Sequence, residues 1–339
     1  MIPGDGIGTE VVPAAVRVLG LLTKELRLDL EWETLDWGAH RWLTDGVGIP
    51  AGAVEMLARD YRAILFGALG DPRIPDMAHG RAILLGLRRR LGLYVNHRPI
   101  RLPAGTVDLY RENTQGLYAG VGGTVHCGAE AEVAVDECVY TRAAVTRFVR
   151  FCLRDLHRNG RRRVTLVHKA NAMPHTGSLW REVFLDELAA LPDLTGSEEY
   201  VDAFCYHLVR DASRYEGVLT ENLFGDIASD IGAALMGGLG VAASANLCPE
   251  TGFGLFEPVH GSAPDIAGTG VANPYGAMAS TAMLLDHVGH GEAAACLRQC
   301  LDFAARGPTA TPDLGGTATT DEFTATVLRR LERTLRDHG

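Results

Sequence analysis

The amino-acid sequence predicts an α/β fold made of two interleaved domains. Short apolar segments of strand length alternate with longer segments of helical periodicity along the chain. The chain has 339 residues, which exceeds the usual size of one small hydrophobic core. The sequence has no internal repeat, no low-complexity tract and no evident linker. We therefore expect the two domains to be interleaved and not joined in series.

The first predicted elements surround two glycine turns. Residues 1–8 form a turn that opens a helix, with Thr9 as its predicted cap and apolar residues at helical spacing over 11–22. Only Met1 and Ile2 precede the Pro- and Gly-rich part of this turn. We therefore expect either a curtailed first strand or a chain start that is set a few residues late. Residues 63–70 predict a buried strand that ends in a second glycine turn, and residues 82–93 predict a helix.

The later elements continue this alternation. Strands are predicted at 107–112, 163–169 and 218–220, and helices at 141–159, 178–191, 198–210, 274–288, 291–305 and 320–337. In open α/β sheets, ligands bind beyond the carboxyl ends of the strands. Polar residues that follow the strands are therefore the first candidates for a site.

The composition limits the class of partner. Hydrophobic residues make up 47% and charged residues 22%, as in ordinary globular proteins. The formal net charge of -10 argues against nucleic acid and against an anionic membrane. The seven cysteines are odd in number and lack a CxxC pair, which favours reduced thiols in the cytoplasm over disulfides or zinc. We expect a cytoplasmic protein that acts on a small molecule.

The segment 220–230 carries the strongest chemical signal. Asp226 and Asp230 lie four residues apart, so on a helix they share one face and can bind one divalent cation. A solvated helix face would carry the same pair, so the pair alone leaves both interpretations open. The segment 257–268 is a Gly- and Pro-rich loop with irregularly spaced polar groups, which favours a bound nucleotide. The glycine turn at 4–8 lacks the spacing of the dinucleotide fingerprint.

Other polar residues suit an acidic substrate and proton transfer. Arg88, Arg98 and Arg111 could bind several carboxylates in a bidentate manner, although each alone could be a salt-bridged surface residue. Lys169 could be a general base once burial or a nearby metal lowers its pKa, or it could simply neutralise an acid. Tyr118 lies in a polar glycine turn, where a phenol could donate a proton or could merely pack.

Together these motifs resemble those of the β-hydroxyacid oxidative decarboxylases, the family of 3-isopropylmalate, isocitrate, homoisocitrate and tartrate dehydrogenases. The matching segments are 3–8, Arg88 with 93–99, 111–118, 168–171, 200–203, 222–230, 260–265 and 312–316. The resemblance covers nearly the whole chain. It implies an oxidative decarboxylase that uses NAD and either Mg²⁺ or Mn²⁺.

The resemblance implies a role for each acidic and proton-transfer residue. Asp226 and Asp230, together with Asp202 from a partner subunit, would bind the metal. Lys169, also from the partner, would help to take the substrate hydroxyl proton as hydride passes to NAD. Tyr118 would protonate the product after CO₂ leaves. Because two of these residues would cross over, the resemblance implies an obligate homodimer whose subunits share the active site.

The resemblance also implies the binding sites. Arg88, Arg98 and Arg111 would hold the substrate carboxylates. The cofactor contacts would be Gly70, Asn171, Glu257, His260, Gly261, Ala263, Asp265, Ile266 and Asn273. Asp265 can accept both ribose hydroxyls and would repel a 2′-phosphate, so we expect NAD and not NADP.

The substituent on C3 of the malate substrate is the open choice within the family. Leu84 and Leu85 form an apolar wall that suits an isopropyl group, although both could equally be helix core. His79 and Arg81 would put positive charge at the pocket edge and favour an acidic substituent. The segment 111–114 looks more like the isocitrate and tartrate branches. We expect 3-isopropylmalate, with isocitrate, homoisocitrate, tartrate, D-malate or a phosphonomethylmalate as alternatives, and a catalytically silent regulatory subunit as the alternative of another class.

The resemblance implies a specific arrangement of domains. A doubly wound α/β domain of the isopropylmalate dehydrogenase type would hold both termini, as residues 1–93 plus 237–339, and would bind the nucleotide. A second α/β domain, residues 94–236, would be inserted in it and would carry the dimer contacts and the metal and substrate residues. The active site is expected in the cleft between them, with closure on substrate.

Overall fold

The computed structural model describes residues 1–338, with side chains described as far as Arg336. The chain has the mixed α/β fold that the sequence predicts. It divides into two compact units: the first contains Met1–Leu93 and the segment from Met236 onward, and the second contains Tyr94–Leu235. The roles that the sequence assigned to the two domains stay predictions. Within the described part of the chain, no helix is both long and apolar enough to cross a membrane.

The regular elements are numbered in chain order. The strands are β1 (Ile2–Gly4), β2 (Ala63–Ala68), β3 (Val95–Leu102), β4 (Gly105–Glu112), β5 (Gly116–Val125), β6 (Val133–Val139), β7 (Arg163–His168), β8 (Thr195–Tyr200), β9 (Gly217–Thr220), β10 (Ala243–Cys248) and β11 (Phe253–Pro258). The helices are α1 (Gly8–Leu26), α2 (Ala39–Asp45), α3 (Ala53–Asp60), α4 (Ala78–Gly80), α5 (Gly86–Arg90), α6 (Arg142–Arg158), α7 (Pro174–Leu188), α8 (Val201–Arg210), α9 (Asn222–Met236), α10 (Tyr275–His287), α11 (Gly291–Ala305) and α12 (Thr320–His338). A π-helical turn, Arg81–Leu85, joins α4 to α5.

Apolar residues cover both faces of the sheet in the first unit. Its strands run in the order β1-β2-β11-β10, with β1, β2 and β11 parallel and β10 antiparallel to β11. Successive side chains of β2 point to opposite faces. Leu65 accordingly packs in one cluster with α1, α10, α11 and α12, while Ile64 and Phe66 pack in another with α3 and Leu87. Burial on both faces explains why β2 is apolar throughout and does not alternate.

The second unit brings three strand ends to one edge of its sheet. The strand order is β3-β4-β9-β7-β8, where β4, β9, β7 and β8 are parallel and β3 is antiparallel to β4. Arg111 lies opposite Thr220, and Thr220 lies opposite Val167. The carboxyl ends of β4, β9 and β7 are therefore adjacent, and the residues that follow these strands lie close together. The hairpin β5-β6 forms a separate two-stranded sheet.

Two local predictions are wrong for identifiable reasons. Helix α1 begins at Gly8, and Thr9 lies inside it with its hydroxyl donating to the Gly6 carbonyl at 2.8 Å, so Thr9 is not the cap. The helix predicted over 198–210 begins only at Val201, because the preceding residues pair with β7 as strand β8.

Candidate functional site

Arg111 is anchored at the carboxyl end of β4 by helix α9. Its Nε and Nη2 atoms both donate to Asn222 Oδ1, at 2.9 and 2.7 Å, and Nη1 donates to Asp226 Oδ1. The side chain is buried, and a Cβ atom at Gly225 would lie only 2.6 Å from Arg111 Cβ. The glycine therefore lets α9 approach β4 closely enough for these contacts.

Arg98 reaches the same face of α9 from β3. Its Nη1 donates to Ser229 Oγ at 2.7 Å and lies 3.3 Å from Asp226 Oδ1 and 4.0 Å from Asp230 Oδ1. Asn222, Asp226, Ser229 and Asp230 follow one another at i, i+4, i+7 and i+8, so they lie on one helix face. Asn222 and Ser229 lie in the segment 222–230 that matches the family, but the sequence predicted no role for either residue, although their helical spacing from Asp226 could have indicated one.

Tyr118 completes the cluster around Asp226. Its hydroxyl donates to Asp226 Oδ2 at 2.6 Å, and the Arg111 guanidinium lies 5.0 Å from the ring centroid. Burial, and then the hydrogen bond to Asp226, raises the pKa of the Tyr118 phenol. Burial is also the main cause that raises the pKa of Asp230. The phenol is thus a protonated donor at neutral pH. We call Arg98, Arg111, Tyr118, Asp226 and Asp230 the carboxylate cluster.

Two of the three predicted metal ligands lie in the carboxylate cluster. Asp226 and Asp230 offer carboxylate oxygens, the donors that Mg²⁺ and Mn²⁺ prefer, one turn apart on α9. Asp202, at the start of α8, instead contacts the Lys169 ammonium. Among the side chains described, those of residues 1–336, no three His, Cys, Asp or Glu groups meet as a metal site. The carboxylate pair fits a divalent ion that takes its remaining ligands from elsewhere.

Lys169 and Asp202 form a separate pair beyond the end of β7. The hydrogen bond from Lys169 is the main cause that lowers the pKa of the Asp202 carboxyl. The ammonium also lies 5.6 Å from the centroid of the Tyr200 ring. The Asp202 side chain is two-thirds exposed, and the nearby Asn171 is exposed as well. This pair therefore faces solvent in the single chain.

The loop after β11 in the first unit is held by its backbone. Ile7 N–H donates to the Ser262 carbonyl at 2.9 Å, and Ala263 has a left-handed φ of 41°. His260 Nδ1 lies 2.9 Å from the Gly261 carbonyl, while the buried Nε2 has no hydrogen-bond partner among the described residues. Burial lowers the pKa of His260, so the ring is neutral. An orphaned buried nitrogen of this kind fits a ligand that supplies a polar group.

The same loop presents open positions to solvent. Asp265 is exposed, Ile266 is half-buried, and a Cβ atom at Gly261 would meet nothing within 4 Å. Asn273, by contrast, is buried and donates to Asp313 Oδ2 at 3.0 Å. Gly70 adjoins this loop, because a Cβ atom there would lie 2.5 Å from Ser262 Oγ. We call residues 260–266 the nucleotide loop, after the ligand that the sequence predicts for it, and its Asp265 carboxylate is exposed.

The helical segment from α4 to α5 contains both buried and half-buried apolar side chains. Ile83 and Leu87 are fully buried, whereas Leu84 and Leu85 are half-buried. Leu84 nevertheless packs against the buried cluster that contains Ile83 and Leu87. Arg88, in the same segment, forms a buried ion pair with Glu257 at 2.9 Å.

The structure does not support His79 as a cationic pocket edge. His79 is completely buried, with Nε2 2.9 Å from Asp5 Oδ2. Arg81 is 59% exposed, but it donates to the Asp76 carbonyl and lies 3.7 Å from the Asp76 carboxylate. Of the two residues predicted to place positive charge at the pocket edge, only Arg81 is exposed, and the Asp76 carboxylate partly neutralises it.

Known proteins are similar to this chain over nearly its whole length. Residues 1–327 match the isocitrate/isopropylmalate dehydrogenase family. The 3-isopropylmalate dehydrogenase of Frankia casuarinae is 44% identical over 87% of this chain and 88% of its own, and that of Thermobifida fusca is 41% identical over 89% of each.

Solved structures agree with the sequence comparisons. Isocitrate dehydrogenase from Methylococcus capsulatus has a TM-score of 0.87 and 34% identity, covering 97% of this chain and 98% of its own. A beta-decarboxylating dehydrogenase from Thermococcus kodakarensis in the apo form has a TM-score of 0.83 and 37% identity, covering 99% and 96%. The chain belongs to the isocitrate/isopropylmalate dehydrogenase family and is an oxidoreductase.

Proposed function

We propose that this enzyme oxidises and decarboxylates 3-isopropylmalate, using NAD and Mg²⁺ or Mn²⁺ as a homodimer. The observation that carries the proposal is the carboxylate cluster, in which two arginines and a protonated tyrosine surround Asp226. This set suits a hydroxy acid with two carboxylates. The names of the relatives at 40–44% identity support the choice of 3-isopropylmalate.

Substrate binding falls to the guanidinium groups. Arg98 and Arg111 are fixed by Ser229 and Asn222, so their N–H forks are preorganised for carboxylates. Asp226 contacts one nitrogen of each guanidinium group. Asp226 and Asp230, with Asp202 of a partner subunit, would hold the divalent ion, which when bound polarises the C2 oxygen as a Lewis acid. Exposed Asp265 would accept the ribose hydroxyls of NAD.

Two side chains would move the protons. Lys169 would take the C2 hydroxyl proton, and NAD, when bound, would accept the hydride from C2. The C2 ketone then accepts the electron pair of the breaking C3–carboxylate bond, and CO₂ leaves. Tyr118 donates its phenolic proton to C3, a role that its raised pKa suits because the phenol is protonated at neutral pH. The net products are the 2-oxo acid, CO₂ and NADH.

The homodimer accounts for the position of Asp202 and for exposed apolar residues of the second unit. Asp202 does not join Asp226 and Asp230 within one described chain. On α8, Tyr206 and Val209 are each 58% exposed, and Ile227 on α9 is 50% exposed. Valines of the β5-β6 hairpin are also exposed, at positions 121, 125, 133, 135 and 139. Apolar patches of this kind are typical of association surfaces. The seven free cysteines support a cytoplasmic location.

The proposal is tested by the rate of NADH formation across a substrate panel with Mg²⁺ or Mn²⁺. The panel contains 3-isopropylmalate, isocitrate, homoisocitrate, tartrate, D-malate and a phosphonomethylmalate. We expect 3-isopropylmalate together with NAD to give the highest kcat/KM. A preference for a substrate with an anionic C3 substituent would mean that exposed Arg81 binds that substituent. Absence of turnover on every substrate would contradict the proposed reaction.

The chain offers a matched control for the proposed base. It has only two lysines, Lys169 and Lys24, and the Lys24 side chain is 82% exposed. Lys169→Ala should lower kcat by about 10²–10⁴-fold, the usual contribution of a general base. Lys24→Ala should leave kcat unchanged. Equal kcat values in the two variants would rule out the role of Lys169.

A further inference from the structure

One buried carboxylate joins three distant segments of the first unit. Asp5 Oδ1 accepts from Ala39 N–H at 2.6 Å, and Asp5 Oδ2 accepts from Gly70 N–H at 3.0 Å. Asp5 Oδ2 also lies 2.9 Å from His79 Nε2. Asp5 belongs to the turn after β1, Gly70 to the turn after β2, and His79 to helix α4. The carboxylate thus holds the starts of α2 and α4 against the two glycine turns.

The surroundings assign the proton on His79. Asp5 is 7% exposed and His79 is fully buried, so the carboxylate requires donors to offset its lost hydration. Nε2 must therefore carry the proton that faces Asp5. The other ring nitrogen, Nδ1, has no hydrogen-bond partner among the described residues. An apolar side chain would fill the same volume without burying this nitrogen, so packing alone does not explain an imidazole at position 79.

His79 stands at the start of the segment that carries the predicted substrate residues. Helix α4 passes directly into the π-helical turn Arg81–Leu85 and then into α5. This stretch holds Leu84, Leu85 and Arg88. A π-helical turn is rare, and such turns often lie at functional sites. Met77, just before α4, has a left-handed φ of 55° and supplies no side-chain cap.

We propose that His79 is a positioning residue, which acts through Asp5 to hold the substrate-side helical segment in register with Gly70 and the nucleotide loop. The proposal rests on the proposed function, because only that function places NAD beside Gly70 and the substrate beside the helical segment from α4 to α5. Gly70 connects the two, since its N–H is bound by Asp5 and its α-carbon lies against Ser262 of the loop. Loss of the imidazole would leave the start of α4 held by the Asp76 carboxylate, which accepts from Ala78 N–H at 3.1 Å, and no longer by Asp5. No group that touches a ligand would be removed.

The test compares His79→Leu with His79→Gln. Leucine fills the volume but cannot donate to Asp5, and we expect it to raise both the Kd of NAD and the substrate KM by about tenfold, the effect of one hydrogen bond to a charged group. We expect a smaller change in kcat. Glutamine retains an N–H donor and should restore most of both constants. The Kd of NAD is measured by calorimetry, so this readout does not depend on turnover.

Leu301→Ala is the matched control for a purely structural effect. Leu301 is fully buried in the core of the same unit, on α11, away from Asp5. It should lower the melting temperature without changing the Kd of NAD. Unchanged constants in His79→Leu, or the same change in Leu301→Ala, would overturn the proposal. If His79→Leu does not fold, His79→Gln decides: near-normal constants support the proposal, and a tenfold loss contradicts it. Failure of the wild type to turn over any substrate would instead remove the proposed reaction, while the Kd comparison would stand.

Discussion

The carboxylate cluster and the nucleotide loop differ in how far their polar side chains are paired with other protein groups. In the cluster, the guanidinium groups of Arg98 and Arg111 already contact Asp226, and Tyr118 donates to the same carboxylate. In the loop, Asp265 is exposed and His260 Nε2 has no partner among the described residues. A ligand that binds at the carboxylate cluster would replace contacts that its side chains already make with one another. A ligand that binds at the nucleotide loop would form contacts with groups that have none there within the described part of the chain. Changes in the cluster should therefore act on catalysis, and changes in the loop should act on cofactor choice and on stability.

The largest expected effect is that of Asp226→Asn. The substitution keeps the shape of the side chain but removes the charge to which Arg98, Arg111 and Tyr118 are attached. We expect kcat/KM to fall by about 10³-fold, on the scale of losing a preorganised electrostatic group. The rise in melting temperature on adding Mn²⁺ should disappear with it. Asp321→Asn, at an exposed ion pair of the other unit, is the control. A retained Mn²⁺ shift in Asp226→Asn would show that the metal lies elsewhere.

Tyr118→Phe should have the next largest effect, and it should be confined to the last step. The phenol is needed only after hydride has passed, so we expect a fast first turnover of NADH followed by a steady state about 10²-fold slower than wild type. Rapid mixing of enzyme with NAD and 3-isopropylmalate separates the two phases. Slow hydride transfer in the first turnover would assign Tyr118 to the oxidation step.

Asp265→Lys tests the open carboxylate of the nucleotide loop. Its charge reversal should remove the acceptor for the ribose hydroxyls and attract a 2′-phosphate. We expect the ratio of kcat/KM for NAD to that for NADP to fall by about 10- to 100-fold. Asp321→Lys, which reverses an exposed charge in the same unit, should leave the ratio unchanged. An unchanged ratio in Asp265→Lys would mean that the ribose lies away from this residue.

The sequence predicted the charged members of the site better than the groups that hold them. Asp226 and Asp230 follow from helical spacing, and Asp265 follows from the Gly- and Pro-rich loop at 257–268 together with the family resemblance. Asn222 and Ser229 support the arginines from the same helix face, but an amide and a hydroxyl indicate a site only through their helical spacing from Asp226. His79 was misread as a surface cation because its partner, Asp5, lies 74 residues away. Such long-range pairs depend on tertiary contacts that local periodicity does not encode.

The strands show the same limit. The apolar strand β2 and the strand β7 were predicted close to their observed bounds. Strands β3, β10 and β11, and the hairpin β5-β6, were not predicted. The exposed half of this hairpin is rich in Gly and Val, and it lacks the alternation that indicates a half-buried strand. The last three residues of strand β8, 198–200, were assigned to a helix, because this charged segment is shaped by pairing with β7 and not by burial.

The smallest expected effect is a pH dependence of stability that arises from His260. Burial lowers the pKa of this side chain in the folded protein below its ordinary value of about 6.5. As the pH falls through 6.5, the unfolded chain takes up a proton that the folded chain does not, so the contribution of His260 to stability is full above this pH and is lost below it. The free energy of unfolding of the wild type, measured relative to His260→Gln, should therefore fall between about pH 7.5 and pH 5.5. Leu297→Ala, a core truncation without a titrating group, should differ from the wild type equally at both values. If saturating NAD supplies the missing partner of Nε2, it should enlarge the wild-type advantage at the higher pH. An advantage of the same size with and without NAD would mean that the orphaned nitrogen does not face the cofactor.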